Sequence, residues 1–290
     1  MKIKVMDWDQ LISELASNIK PSFKTNYNYV KCLNSLSQNL DISTKFNIKK
    51  NGKPPKSFLN KIKLIKALKD SLTLEFKLVS DINEASSLHN SWIATKSYYL
   101  FYHCWSVIYY LIKSEESSLR VSHKKISEFL KTEIINNKII FTNEEFNKVY
   151  SYSEIKEMKG AKGANLYDEF DNCKMINFIL RKIANLRLEE FKRLNHIKNF
   201  MEKKSKDLKK VHESSEKVCL LDFFYQNRIK TDYLSLEFLQ DVDDVRSHYQ
   251  FYKEYYELTI NFYHPLVKII KELSNKRFGS DFVPFLTRFR

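Results

Sequence analysis

The stretch Ser97-Tyr98-Tyr99-Leu100-Phe101-Tyr102-His103-Cys104-Trp105-Ser106-Val107-Ile108-Tyr109-Tyr110-Leu111-Ile112 decides the fold. Large apolar and aromatic side chains fall on nearly every side of its helical wheel, with His103 and Ser106 as the polar interruptions inside it. A membrane span needs about 20 predominantly apolar residues, so this shorter, interrupted run predicts a central, buried helix and no membrane partner. Extended outward, the same periodicity predicts a helix from Leu88 to Ser114.

The surrounding composition points the same way. The 290 residues include four Gly and five Pro, with no Pro between Lys56 and His264 and Gly160 and Gly163 as the glycines of that span. Sheet-rich folds use turn residues far more often, so the chain reads as predominantly helical, all-α with at most a small β-hairpin. A content of 43% hydrophobic and 14% aromatic residues is ample for a core without staples. Cys32, Cys104, Cys173 and Cys219 are scattered without metal-site spacing, which predicts reduced thiols and a cytoplasmic location. The N-terminal residues Met1 to Asp9 lack the apolar core of a secretory signal. A net charge of +14 favours an anionic partner, and RNA is the one expected. The excess is carried mostly by Lys, as codon usage in an AT-rich genome would also produce, with nine Arg in the chain.

Away from the central helix, Leu11, Ile12, Leu15 and Ile19 recur at helical spacing, and a second helix follows through Tyr29, Val30 and Leu33. Lys45 to Lys69 holds nine lysines and no acid around the turn Asn51-Gly52-Lys53-Pro54-Pro55. From this segment Lys49, Lys50, Lys53 and Lys56 are candidate phosphate contacts, joined by Lys203 and Lys204 from a second basic run. Leu72 to Val79 alternates and reads as a short strand or an irregular helix approach, and within it Glu75 and Lys77 match the Glu-x-Lys pair of metal-dependent nucleases. Ile134 to Phe141 predicts a hairpin about Asn136-Asn137-Lys138. Gly160 to Gly163 is a flexible point, Asn172 to His212 reads as one long helix or two joined ones, and Cys219 to Asn227 opens a core helix. Leu234 to Val245 alternates acids and apolars, His248 to Leu273 is an aromatic-rich helix, and Asn275 to Arg290 forms a basic tail.

Two of these helices carry a resemblance. Ser97, Tyr98, Tyr99 and His103, then His123 and Phe129, then Arg228, Asp232 and Tyr233 resemble, in order, the signature positions of HEPN domains. These are helical bundles of prokaryotic toxin-antitoxin and antiphage systems. The resemblance spans roughly residues 88 to 130 and 215 to 272, and implies a HEPN-like bundle over 88–290 with an insertion at about 131–214, preceded by a helical, basic extension over 1–87. It implies a metal-independent endoribonuclease in which an Arg and a His act together across a dimer, so a homodimer or a protein partner is expected and no cofactor. Arg228, Tyr233 and His103 are then the candidate catalytic residues, with Tyr98, Tyr99 and Trp105 as structural core.

Guanidinium neutralises a phosphorane-like transition state and imidazole moves the 2′-hydroxyl proton, so those residue types fit the reaction. Tyr233 stands where the resemblance puts His, and a phenol is a poor base at neutral pH. His103 and His248 are the imidazoles available in its stead. Two alternatives follow: a non-catalytic helical subunit docking a nucleotidyltransferase, ATPase or nuclease, and a metal-dependent nuclease using Glu75 and Lys77. In the simplest structural reading, Arg228 and Asp232 pair along one helix and the aromatics only pack.

Overall fold

Nine α-helices and two short antiparallel strand pairs make up the described chain. The structure is a computed structural model and describes residues 23–50, 52–83, 85, 87–158, 172–233 and 245–279. The order is α1 (Phe23–Ser37), β1 (Ile42–Thr44), α2 (Lys56–Ile82), α3 (Ser87–Lys113), a 3-10 turn (Glu116–Arg120), α4 (His123–Ile135), β2 (Ile139–Phe141), a second 3-10 turn (Glu144–Asn147), β3 (Tyr150–Ser151), α5 (Tyr152–Glu157), α6 (Asn172–Leu194), α7 (Lys203–Ser215), β4 (Lys217–Val218), α8 (Asp222–Tyr233) and α9 (Val245–Phe278).

The central helix is α3. It packs against α9, α8, α2 and α4, and Trp105, Ile108 and Leu111 are fully buried. Phe101 stacks on Phe224 of α8 at 4.7 Å and meets Phe262 of α9 edge-on at 6.0 Å, so aromatic contacts join the three helices at one point. Ser97, the first residue of the quoted stretch, accepts a 2.7 Å hydrogen bond from Thr259 and pins α3 to α9. At the other end Arg277 is buried, donates to the Leu111 carbonyl at 2.9 Å and to Ser114 at 2.6 Å, and so closes the C-terminus of α3. The expected basic tail thus begins as a core element, because the free carbonyls of α3 need a donor there.

Helices α1 and α2 share this core with the helices after residue 87. Asn34 of α1 donates to Glu254 at 2.7 Å and Glu257 at 3.0 Å on α9. No helix among the described residues is long and apolar enough to cross a membrane.

Two local expectations change. Leu72 to Val79 is the C-terminal third of α2, with Leu72 and Val79 buried at helical spacing, so the alternation was the coincidence of two faces. Ile134 ends α4 instead of starting a strand: Asn137 takes a left-handed conformation (φ 52°) and Lys138 N–H donates to the Glu133 carbonyl at 2.8 Å. Ile139 to Phe141 then pairs with β1, Ile42 opposite Phe141, so the strand exists but its partner lies far back in sequence. Asn172 to His212 is two helices, broken between Leu194 and Lys203. The helix expected at Leu11 to Ile19, the Gly160 to Gly163 point, most of Leu234 to Val245 and the tail beyond Gly279 lie outside the described residues.

Candidate functional site

Arg228 sits two turns into α8, and three other elements converge on it. Its guanidinium lies over the rings of Tyr98 and Tyr99 of α3, 5.6 and 5.3 Å from their centroids, and donates to the Tyr99 hydroxyl at 3.1 Å. Tyr98, in turn, hydrogen bonds Nδ1 of His123, the first residue of α4. Tyr102 lies against the His123 ring, centroids 4.1 Å apart, and Tyr225 of α8 lies 5.7 Å from Tyr98. Arg228, Tyr99, His103, His123 and Tyr225 are all partly exposed, so the cluster is a floor open to solvent rather than core.

Local chemistry fixes these positions. Ser122 accepts from the Lys125 N–H as the N-cap of α4, and Tyr102 donates to the Val121 carbonyl at 2.5 Å, so the chain enters α4 with His123 against α3. Helix α8 is anchored at its first residue. Asp222 accepts from Arg187 of α6 at 2.6 Å, from Ser127 of α4 at 2.8 Å and from its own preceding turn at Cys219 N–H, 3.1 Å. Lys131 of α4 approaches it at 3.3 Å and donates to the Lys217 carbonyl at 2.6 Å, while Arg187 also bonds Glu216. Burial opposes ionisation of Asp222, but Arg187 and Lys131 overcome it and hold its carboxyl at about 2.

Electrostatically the cluster is cationic. Burial, then Arg228 and Lys61, push the His123 pKa down, and burial, then Lys61 and His123, push His103 down to about 4. Lys61 of α2 donates to His103 Nδ1 at 3.0 Å, and burial and Arg120 lower its own pKa. Burial and the neighbouring Tyr225 raise the Tyr98 phenol, which stays protonated. Both imidazoles are therefore neutral at pH 7 beside cations, a setting that favours an incoming anion. Among the described residues a carboxylate stands close: Glu190 accepts from Tyr225 at 3.2 Å, and burial and Glu190 raise that phenol to about 12.

A cavity of about 30 Å³, water-sized, lies between Tyr98, His123, Tyr225 and Asp222. From His123 and Tyr225 a groove of about 580 Å³ runs between α4, α6 and α7, past Lys131, Arg187, Phe191 and His212. Its lining cations Lys124, Lys131, Arg187 and Lys217 are matched in number by Glu128, Glu190, Glu216 and the adjoining Asp222.

The sequence-derived candidates separate. Arg228, Tyr98, Tyr99 and His103 do come together. His103, however, touches Tyr99 (6.1 Å between rings) and Lys61, and because an ammonium can only donate, its Nδ1 lone pair is occupied. That makes it an Nε2–H donor and no substitute base. The imidazole in reach of Arg228 is His123, which the sequence offered only as part of a resemblance; its signal was the N-cap Ser122 placing it at a helix start. His248 is buried in the core, where Asn90 donates to it at 2.8 Å, some two turns of α3 from Tyr99. Trp105 and Tyr98 are buried, whereas Tyr99 is half-buried at the rim of the site. The backbone of Tyr233 ends α8, and the side chains of Tyr233 and Asp232 lie outside the described residues.

The six lysines lie elsewhere. Lys49, Lys50, Lys53 and Lys56 are exposed near the N-terminus of α2, the end where Phe58 meets Tyr110 and Phe278, while Lys203 and Lys204 are exposed at the start of α7. Glu75 and Lys77 lie on a helix, about 200° apart around its axis, and Glu75 is paired with Lys96 of α3, so the pair does not face one metal. No group of three or more metal-ligating residues is found among the described residues. Cys32, Cys104 and Cys219 are buried. Comparison with family models, with curated proteins and with solved structures finds no match to this chain.

Proposed function

We propose that the chain is a HEPN-like protein of a prokaryotic defence or toxin-antitoxin-type system that takes an RNA phosphate at Arg228 and cleaves the strand without metal. The observation that carries this reading is the convergence of Arg228 from α8, Tyr98 and Tyr99 from α3 and His123 from α4 on one solvent-open, cationic floor. In it, Arg228 binds the non-bridging phosphate oxygens and offsets the charge that builds on them. Tyr98 holds His123 by Nδ1. With that nitrogen donating to the phenol oxygen, Nε2 presents a lone pair and takes the proton of the ribose 2′-hydroxyl. The 2′ oxygen forms the new bond to phosphorus, the bond to the 5′ oxygen breaks, and that oxygen takes a proton from a water that the protonated His123 in turn reprotonates, leaving a 2′,3′-cyclic phosphate, a 5′-hydroxyl and a neutral His123.

Purified full-length protein should cut an RNA oligonucleotide in EDTA to give those ends. Arg228→Ala and His123→Ala should each slow cutting by about a hundredfold or more. RNA left intact by the wild-type protein would overturn the cleavage step. The second reading, a module that binds without cutting, is favoured by Tyr233 at the position where the resemblance puts His. It predicts RNA retained by the wild-type protein and released by Arg228→Ala, with no cyclic phosphate formed by either.

A further inference from the structure

Helix α2 buries Phe58, Ile62, Ile65, Leu72 and Val79 in the core and carries a second seam on its opposite face. Leu64, Ala67, Ser71, Leu74 and Leu78 follow at alternating three- and four-residue steps, with Ile82 closing the row, and all are exposed. Leu74 is 62%, Leu78 59% and Ile82 64% exposed, and a solvent-facing helix has no use for such side chains in a row. The spacing is that of a coiled-coil seam. Leu88, Trp92 and Lys96 of α3 step by four residues beside it, since Lys96 pairs with Glu75, and the exposed Leu88 and Trp92 widen the patch at the C-terminal end of α2.

The charges of α2 identify what fits. Its N-terminal half carries Lys56, Lys61, Lys63, Lys66 and Lys69, and its C-terminal half carries Asp70, Glu75 and Asp81 with Lys77. Basic residues at the start of a helix and acids at its end oppose the macrodipole, so the isolated helix does not favour this arrangement. An antiparallel copy of the same helix offsets it where an acid of one copy meets a lysine of the other at the flank of the seam. The seam is also self-complementary about a two-fold axis between Leu72 and Thr73. Ala67 then faces Leu78 of the second copy and Ser71 faces Leu74, small against large at the inner levels, while Leu64 comes opposite Asp81 at each end. The flanking Asp70 falls opposite Lys77 of the second copy, an ion pair made twice by the symmetry.

We infer that α2 is a homodimerisation surface, pairing antiparallel with α2 of a second copy through Leu64, Ala67, Ser71, Leu74 and Leu78. The surface is separate from the Arg228 cluster, and its test involves no RNA, so it stands or falls independently of the proposed activity. Sedimentation equilibrium of the full chain should give a dimer mass. Leu74→Asp with Leu78→Asp should give a monomer with an unchanged circular dichroism spectrum. Asp70→Lys sets Lys against Lys77 and should weaken the dimer at least about tenfold, and Asp70→Lys with Lys77→Asp should restore it. A partner of different sequence on this face would not be recovered by that swap. A wild-type monomer at ~100 µM, a dimer indifferent to Leu74→Asp with Leu78→Asp, or a charge swap that fails to restore association would each overturn the inference.

Discussion

Lys61 and His103 show how one contact decides what a residue can do. The ammonium occupies the histidine's Nδ1 at 3.0 Å, and burial with Lys61 and His123 holds the imidazole neutral down to about pH 4. An unfolded histidine takes its proton near its ordinary 6.5, so between about 6.5 and 4 the unfolded chain binds more protons than the fold. Stability therefore falls on acidification through that window and is unaffected by His103 above it. His123 adds to the loss with the same sign. Thermal melts from pH 7.5 to 4 should fall less steeply for His103→Gln, which keeps an acceptor for Lys61 without a titrating group; parallel curves would show that His103 is not held neutral. Asp222 works in a lower window, since its carboxyl is held at about 2 against an ordinary 3.8, and its contribution fades only below that ordinary value.

At the scale of elements, the buried charges of α4, α6 and α8 set where Arg228 points. Asp222 joins Ser127, Lys131 and Arg187, and Arg228 follows it by six residues, about 9 Å along α8. Asp222→Ala removes the buried carboxylate that Lys131 and Arg187 share, leaving them Glu216, and should destabilise the protein by about 3 kcal/mol in urea titrations. A loss below about 1 kcal/mol would mean that α8 is held by apolar packing alone. Little of this knot was legible in the sequence, because Lys131, Arg187 and Asp222 are charged residues far apart in the chain and nothing local marks them as partners. The identity of α3 was legible, since an all-round apolar helix has few places to go. Leu72 to Val79 misled because Leu72, Leu74, Phe76 and Leu78 alternate, while the buried pair Leu72 and Val79 follows the helical period and Leu74 and Leu78 belong to an exposed seam. Strand alternation and a helix with two apolar faces look alike over eight residues.

For the molecule as a whole, the +14 charge supplies a diffuse attraction to nucleic acid, and the six lysines first singled out for it are surface residues away from Arg228. Composition revealed the charge, but only the packing of α3, α4 and α8 reveals which cation and which imidazole converge on one site. On the proposed reading, Arg228 binds a phosphate over and above that diffuse field. The most direct measurement is fluorescence anisotropy of a labelled single-stranded RNA titrated with wild-type protein, Arg228→Ala and a Lys203→Ala, Lys204→Ala control over a range of salt. Arg228→Ala should weaken binding at least about tenfold and reduce the slope of log affinity against log salt by about 0.7, the loss of one phosphate contact, while the control changes less. Equal affinity and slope for wild type and Arg228→Ala, with the control weaker than both, would rule out a phosphate site at Arg228 and assign RNA binding to the surface lysines instead.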